Sequence, residues 1–111
     1  MPANFDIKQT LDDMLASAKK TAGDGGKEAK GIAAQFLQNR KERLMLLADL
    51  RITGDLPDEK FASRLEDEKL ILEAELNALA VISRATAQNT AQNVIKVFQS
   101  AVINAIPDIV A

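Results

Sequence analysis

Apolar residues recur at helical spacing along most of the chain, and the interruptions divide it into three segments. In the first segment they lie four, three, one and three residues apart, which puts them on one face of a helix. Asn4 is a suitable N-cap residue, and the charge of Asp6 suits the positive end of a helix. The sequence therefore predicts a first helix over about 4–22 with the following apolar face: Ile7, Leu11, Met14, Leu15 and Ala18.

Glycines end this first helix. Gly23, Gly25 and Gly26 lie within one short stretch, and glycine is the usual residue at helix C-caps and in the loops that follow them. We therefore predict that 23–26 is a hinge. The apolar spacing resumes after it and predicts a second helix over about 27–53, with these core positions: Ala29, Ile32, Ala33, Phe36, Leu37, Leu44, Leu47 and Leu50.

A sharp turn at 54–57 follows the second helix. Gly54 is suited to end a helix, and Pro57 is suited to the first turn of the next, where the N–H that proline lacks would have no partner. Short connections of this kind join antiparallel neighbours. No glycine or proline occurs again before Pro107, so we expect one third helix over about 57–106.

The apolar stripe of this third helix repeats about every 11 residues from Leu72 onward, which favours a straight helix. The expected core positions are Phe61, Leu65, Leu72, Leu76, Leu79, Ser83, Ala87, Thr90, Val94, Phe98, Ala101 and Ala105. The predicted fold is all-α, a single domain over 1–111 in which helices one and two pack along the long third helix as a coiled-coil-like antiparallel hairpin. The alternative is a compact four-helix bundle, in which the third helix breaks near Thr86–Thr90.

Charged side chains are distributed very unevenly. The segment Ala85–Ala111 carries only Lys96 and Asp108, although the whole chain has 14 basic and 16 acidic residues. A helix with so few charges is poorly suited to face water on all sides, and the short first helix can cover only part of it. Uncovered apolar areas of a few hundred Å² usually mark interaction surfaces. We therefore expect this segment to contact another chain; the alternative is that the first helix and the tail at 108–111 fold back and cover it within the same chain.

The predicted contact consists of residues on the C-terminal part of the third helix: Ala87, Ala91, Val94, Ile95, Phe98, Val102 and Ile106. The two alanines belong to a Thr-Ala-Gln-Asn motif at 86–89 that is repeated at 90–93. On a helix this repeat stacks like residues, so the alanines permit close approach of another helix and the amides can form ladders across an interface. The competing interpretation is a solvated face opposite an ordinary core stripe.

One acidic residue lies at the edge of the expected core. Glu68 falls beside the apolar stripe, and we expect it to face Arg40 or Arg43 across the turn. The surrounding acids alternate with basic residues, which is typical of a solvated helix face. The chain has no histidine, so the Glu-x-x-His pairs of di-iron bundles cannot form. We predict neither a metal site nor another cofactor.

The composition of the chain argues against two classes of function, nucleic-acid binding and catalysis. The net charge of -2 and the lack of Trp and Tyr argue against nucleic-acid binding. Without His or Cys, and without a glycine-rich loop after a strand, the pattern does not indicate an enzyme. The first residues lack the basic and apolar regions of a signal peptide. A cytoplasmic location is therefore the default expectation, and export by a route that does not use a signal peptide stays open.

Two short segments resemble known helical families. The stretch 47–65, around Gly54, resembles the small helical-hairpin tails through which some bacterial proteins oligomerise. The stretch 93–106 resembles the C-terminal helix of type III secretion needle subunits, which are helical hairpins that polymerise. The chain departs from the second family by its length, its additional first helix and the lack of two prolines at its turn. Both resemblances imply a helical, associating protein.

These observations predict a structural or assembly protein that forms a homo-oligomer or filament through its charge-poor C-terminal helix. One alternative is an adaptor or chaperone that binds a helix of another protein at the same surface. A third is a membrane-active helical bundle that opens at the glycine hinge. Membrane contact is the weakest of the three, because interfacial helices usually carry several basic residues and Ala85–Ala111 has only Lys96.

Overall fold

The computed structural model describes residues 5–107, most of which are helical. The helices are α1 (Ile7–Ala22), α2 (Gly26–Ile52), α3 (Asp58–Leu79) and α4 (Arg84–Ala105), and a 3-10 turn (Gly23–Gly25) joins the first two. The described range contains no strand. The all-α prediction is therefore confirmed.

The start of α1 is set by Asp6. Its side chain caps the helix by accepting a 3.1 Å hydrogen bond from the backbone N–H of Gln9. Asp6 also places a negative charge at the positive end of the helix dipole. Asn4, the predicted cap, lies outside the described residues. At the other end, Gly23 ends the helix with a φ of 62°, a conformation that favours glycine because other residues have a Cβ.

The helices α2 and α3 form an antiparallel pair joined by a tight turn. Gly54 adopts a φ of 88° at the predicted position of the turn. Next to the turn, Arg51 Nη2 lies 3.6 Å from Asp58 Oδ1. At the far end of the pair, Glu28 is hydrogen-bonded to the backbone of Val81. Residues at the end of α2 therefore pair with the start of α3, and residues at the start of α2 pair with the end of α3, as in an antiparallel pair.

The predicted continuous helix over 57–106 is wrong, because the chain breaks and reverses at residues 80–83. Phe61 and Phe98, which would lie far apart on one straight helix, have ring centroids only 6.4 Å apart. The reversal has two local causes. Val81 and the residue after it are β-branched, which lowers helix propensity. Ser83 then caps α4 by accepting a 3.1 Å hydrogen bond from the Thr86 N–H.

The break also differs from the one considered in the alternative layout. Residues Thr86–Thr90 lie inside α4 and are helical. Most of the expected core stripe is buried on both sides of the true break, but Leu79 and Ser83 are exposed and Ala101 is half-buried. Leu79 and Ser83 lie at the two ends of the reversal. They are exposed because the apolar positions stay on one helix face only as long as the helix continues.

Tight packing between α1 and α4 completes the core. Three phenylalanines from distant parts of the chain meet in it. Phe98 of α4 contacts Phe5 edge-to-face at a centroid distance of 6.1 Å, and it contacts Phe61 of α3 on another side. Phe61 and Phe98 are fully shielded from solvent and Phe5 nearly so. α4 is therefore covered by partners within the same chain.

Candidate interaction surface

The residues predicted to contact another chain lie almost entirely in the core. Six are buried, and Ile106 is half-buried; the buried ones are Ala87, Ala91, Val94, Ile95, Phe98 and Val102. In the folded chain these six are covered by the neighbouring helices and are out of reach of a second copy. Contact through them stays a prediction only for an opened chain in which α4 has left the core.

The repeated Thr-Ala-Gln-Asn motif divides its residues between the core and solvent. Ala87, Thr90 and Ala91 are buried, whereas the glutamines and asparagines are exposed. The amide of Asn93 donates a 3.1 Å hydrogen bond to the hydroxyl of Thr21 at the end of α1. The small side chains therefore serve close packing within one chain, and the amides line its outer edge.

Two of the predicted hinge glycines are required by close packing. A Cβ at Gly25 would collide with the Cγ2 atom of Ile82, and a Cβ at Gly26 would collide with the backbone oxygen of Lys19. Gly23 needs its positive φ but has open space around it. The connection between α1 and α2 is therefore tightly fitted, and its opening as a hinge stays a prediction.

A buried charge cluster joins α2 to α3. The carboxylate of Glu68, only 1% exposed, accepts hydrogen bonds from Arg40 Nε and from Arg40 Nη2 at 2.7 Å. It also accepts one from Arg43 Nε at 2.8 Å. The hydrogen bond to Glu68 raises the pKa of Arg40 above its ordinary value, so that the guanidinium stays charged. The prediction that Glu68 faces these arginines is confirmed.

The Glu68 cluster links α2 to α3 through hydrogen-bonded ion pairs. Two guanidinium groups occupy the carboxylate of Glu68, which leaves it poorly placed to exchange a proton with a substrate. Within residues 5–107, no group of His, Cys, Asp and Glu side chains is arranged to hold a metal ion. No helix in the same range has the length and apolarity needed to cross a bilayer.

The most unusual exposed residues lie at the end of α3. Leu79 is 67% exposed and Val81 is 88% exposed, although both are large apolar side chains. Leu79 borders a groove of about 360 Å³ between α2 and α3. We call this feature the α2–α3 groove; its lining residues are Lys27, Glu28, Gly31, Ile32, Gln35, Glu75 and Leu79. The sequence pattern missed this surface because Leu79 fits the spacing of the core stripe.

Val81 is held in its exposed position from two sides. Its backbone N–H donates a 2.9 Å hydrogen bond to Glu28 Oε1 in the first turn of α2. The next residue, Ile82, is half-buried and packs over Gly25. The side chain of Val81 therefore faces solvent on an anchored connection, directly beside the α2–α3 groove.

Comparisons with known proteins do not assign the chain to a family. No protein-family model, curated protein or solved structure matches it. Its function is therefore inferred from the chemistry of its surface.

Proposed function

We propose that this protein is a helical structural or assembly subunit that associates with further copies of itself. One observation carries the proposal: the side chains of Leu79 and Val81 are 67% and 88% exposed next to an apolar groove. Single exposed apolar residues are normal on protein surfaces, but neighbouring ones beside a groove are typical of interaction sites. The contact surface we propose lies on α2 and α3 instead of α4.

The architecture that supports this proposal is a compact four-helix bundle, which we infer in preference to the long hairpin. The first three helices are each followed by a reversal of the chain, and α4 returns along α3 so that Phe98 meets Phe61. In such a bundle the charge-poor helix supplies the core, and the outer faces of the other helices remain for contacts between copies.

The driving force in this proposal is burial of apolar area. It contributes about 25 cal/mol per Å² before the entropic cost of association is subtracted. The exposed apolar cluster, which consists of Leu79 and Val81, is small. Interfaces below about 1,200 Å² in total are typical of weak complexes. We therefore expect an association that depends on protein concentration.

Light scattering coupled to size exclusion, over a wide range of loading concentrations, tests the proposal. The measured mass is expected to rise above the 12.0 kDa of one chain as the concentration increases. Leu79→Gln is expected to reduce this rise. Leu46→Gln is the matched control, because Leu46 is 56% exposed on α2 but does not line the groove.

A mass of 12.0 kDa at every concentration would overturn the proposal. It would favour the alternative of an adaptor that stays monomeric until it binds a helix of another protein.

A further inference from the structure

We propose that the cleft between the end of α1 and the start of α2 binds a small ligand that carries clustered phosphate groups. The cleft has a volume of about 660 Å³, which is in the range of small-molecule sites. We call it the basic cleft, because four lysines line it: Lys19, Lys20, Lys27 and Lys30. The proposal does not depend on self-association.

Close contact between the two helices brings these lysines together. Gly26, the first residue of α2, lies against the backbone oxygen of Lys19 in the last turn of α1, where a Cβ would collide. Lys20 lies in the same last turn, and Lys27 and Lys30 lie in the first two turns of α2. Cationic side chains from both helices therefore border one cleft.

The positive charge of the basic cleft is largely uncompensated. Asp12 is its only acidic lining residue, and among residues 5–107 none of the four lysines makes an ion pair. Lys19 and Lys30 also have no acidic residue three or four positions away along their helices, where a neighbour could pair with them. A cleft lined by one sign of charge concentrates the electrostatic field and attracts the opposite charge.

Two acidic residues near the start of α2 do not neutralise the cleft. The carboxylate of Glu28 is hydrogen-bonded to the backbone N–H of Val81, on the connection between α3 and α4. Asp24 is exposed on the 3-10 turn and does not line the cleft. The lysines therefore stay available to a ligand.

Helix stability explains only part of this arrangement. Lys19 and Lys20 lie at the negative end of the α1 dipole, where cations are favourable. Lys27 instead lies at the positive end of the α2 dipole, and it is three positions from a like charge, Lys30. Both relationships destabilise a helix. A bound anion would offset both, and such locally unfavourable residues are expected at functional sites.

Clustered phosphate is the chemistry that fits several convergent lysines. Lysine binds phosphate as a point charge, and each phosphate group offers more negative charge and more acceptor oxygens than one carboxylate. Nucleic acid fits less well, because the whole chain has a net charge of -2 and has no Trp or Tyr on which bases could stack. The ligand we propose is therefore a small phosphate compound or a lipid headgroup.

The first test is calorimetric titration of the full chain with sodium tripolyphosphate at low ionic strength. We expect saturable one-to-one binding that weakens as salt is added. The double variant Lys19→Gln/Lys30→Gln is expected to bind about tenfold more weakly. The matched control is Lys60→Gln/Lys96→Gln, which loses the same charge at exposed positions outside the cleft. It should stay within about twofold of the unaltered chain, because distant charges are screened.

Lys27→Gln separates ligand binding from a structural role. We expect it to weaken tripolyphosphate binding while the Tm of the free chain stays equal or rises, since a cation is removed from the positive end of α2. Circular dichroism measures the helix content and the Tm. A lower Tm with unchanged affinity would assign Lys27 to the fold and contradict its place in the site.

A vesicle arm distinguishes the two sources of phosphate. Co-sedimentation compares phosphatidylglycerol vesicles with phosphatidylcholine vesicles. Binding of tripolyphosphate without binding to vesicles would support a free phosphate compound. Binding to phosphatidylglycerol that Lys19→Gln/Lys30→Gln loses would support a lipid headgroup. The proposal is overturned if neither probe binds, or if Lys60→Gln/Lys96→Gln weakens binding as much as the cleft variant does.

Discussion

The carboxylate of Glu28 accepts a 2.9 Å hydrogen bond from the backbone N–H of Val81, 53 positions further along the chain. This bond ties the first turn of α2 to the connection between α3 and α4. It also fixes the orientation of the connection, so that the Val81 side chain is presented to solvent beside the α2–α3 groove. The exposed apolar cluster is thus anchored by a polar contact.

Removing this contact is expected to loosen the connection without unfolding the helices. Glu28→Ala should lower the free energy of unfolding by about 1 kcal/mol, because one hydrogen bond is lost at an exposed position. Urea unfolding measures the loss, and the backbone amide of Val81 should exchange its proton faster. Glu42→Ala is the control, because Glu42 is exposed on the same helix and has no side-chain partner within residues 5–107. Equal behaviour of the two variants would contradict the anchoring role.

Two glycines of α2 should respond to alanine in opposite directions. Gly31→Ala is expected to stabilise the monomer by about 1 kcal/mol, because alanine is the better helix former and has room. Gly26→Ala is expected to destabilise it by about 1–3 kcal/mol, because the added methyl group would press on the backbone of Lys19. Thermal unfolding at low protein concentration measures both. Stabilisation by Gly26→Ala would show that α1 and α2 do not approach as described.

Removing Arg40 and removing Glu68 should lower the free energy of unfolding by different amounts. Arg40→Ala is expected to cost about 3 kcal/mol, because it leaves a buried carboxylate with Arg43 as its remaining partner. Glu68→Met is expected to cost less than about 1 kcal/mol, since Arg40 and Arg43 are 29% and 48% exposed and can turn to solvent. Denaturant unfolding of both variants checks this order. A loss below about 1 kcal/mol for Arg40→Ala would mean that Glu68 is solvated.

Phe98 and Leu79 should differ sharply in their effect on stability. Phe98→Ala is expected to lower the free energy of unfolding by about 3–5 kcal/mol, because it opens a cavity between Phe5 and Phe61. Leu79→Ala should change it by less than about 0.5 kcal/mol, as is usual for exposed positions. Unfolding at low concentration measures both in the monomer. A small loss for Phe98→Ala would mean that α4 is not packed as described.

The sequence predicted the first two helices, the turn at Gly54 and the partners of Glu68, because each has a strong local signal. Glycine and proline mark the ends of helices, and a charged residue beside an apolar stripe needs an opposite charge. These signals depend only on nearby residues or on the antiparallel pairing that a short turn imposes.

The reversal at 80–83 could not be predicted in the same way. No glycine or proline marks it. In the sequence, the serine that caps α4, Ser83, cannot be told apart from a serine on the surface of a continuous helix. The apolar spacing also continues across the break, so Leu79 was expected in the core. Once the chain reverses there, α4 gains neighbours along more of its surface, which explains its low charge without a second chain. The surface beside Leu79 was missed for the same reason.

The most direct test of self-association through the α2–α3 groove is the concentration dependence of backbone amide shifts in two-dimensional NMR spectra. As concentration rises, we expect the signals of Gly31, Ile32, Leu79 and Val81 to move together, while those of Val94 and Phe98 stay fixed in the core. Shifts centred on Val94 and Phe98, or no shifts at any concentration, would contradict association through this groove.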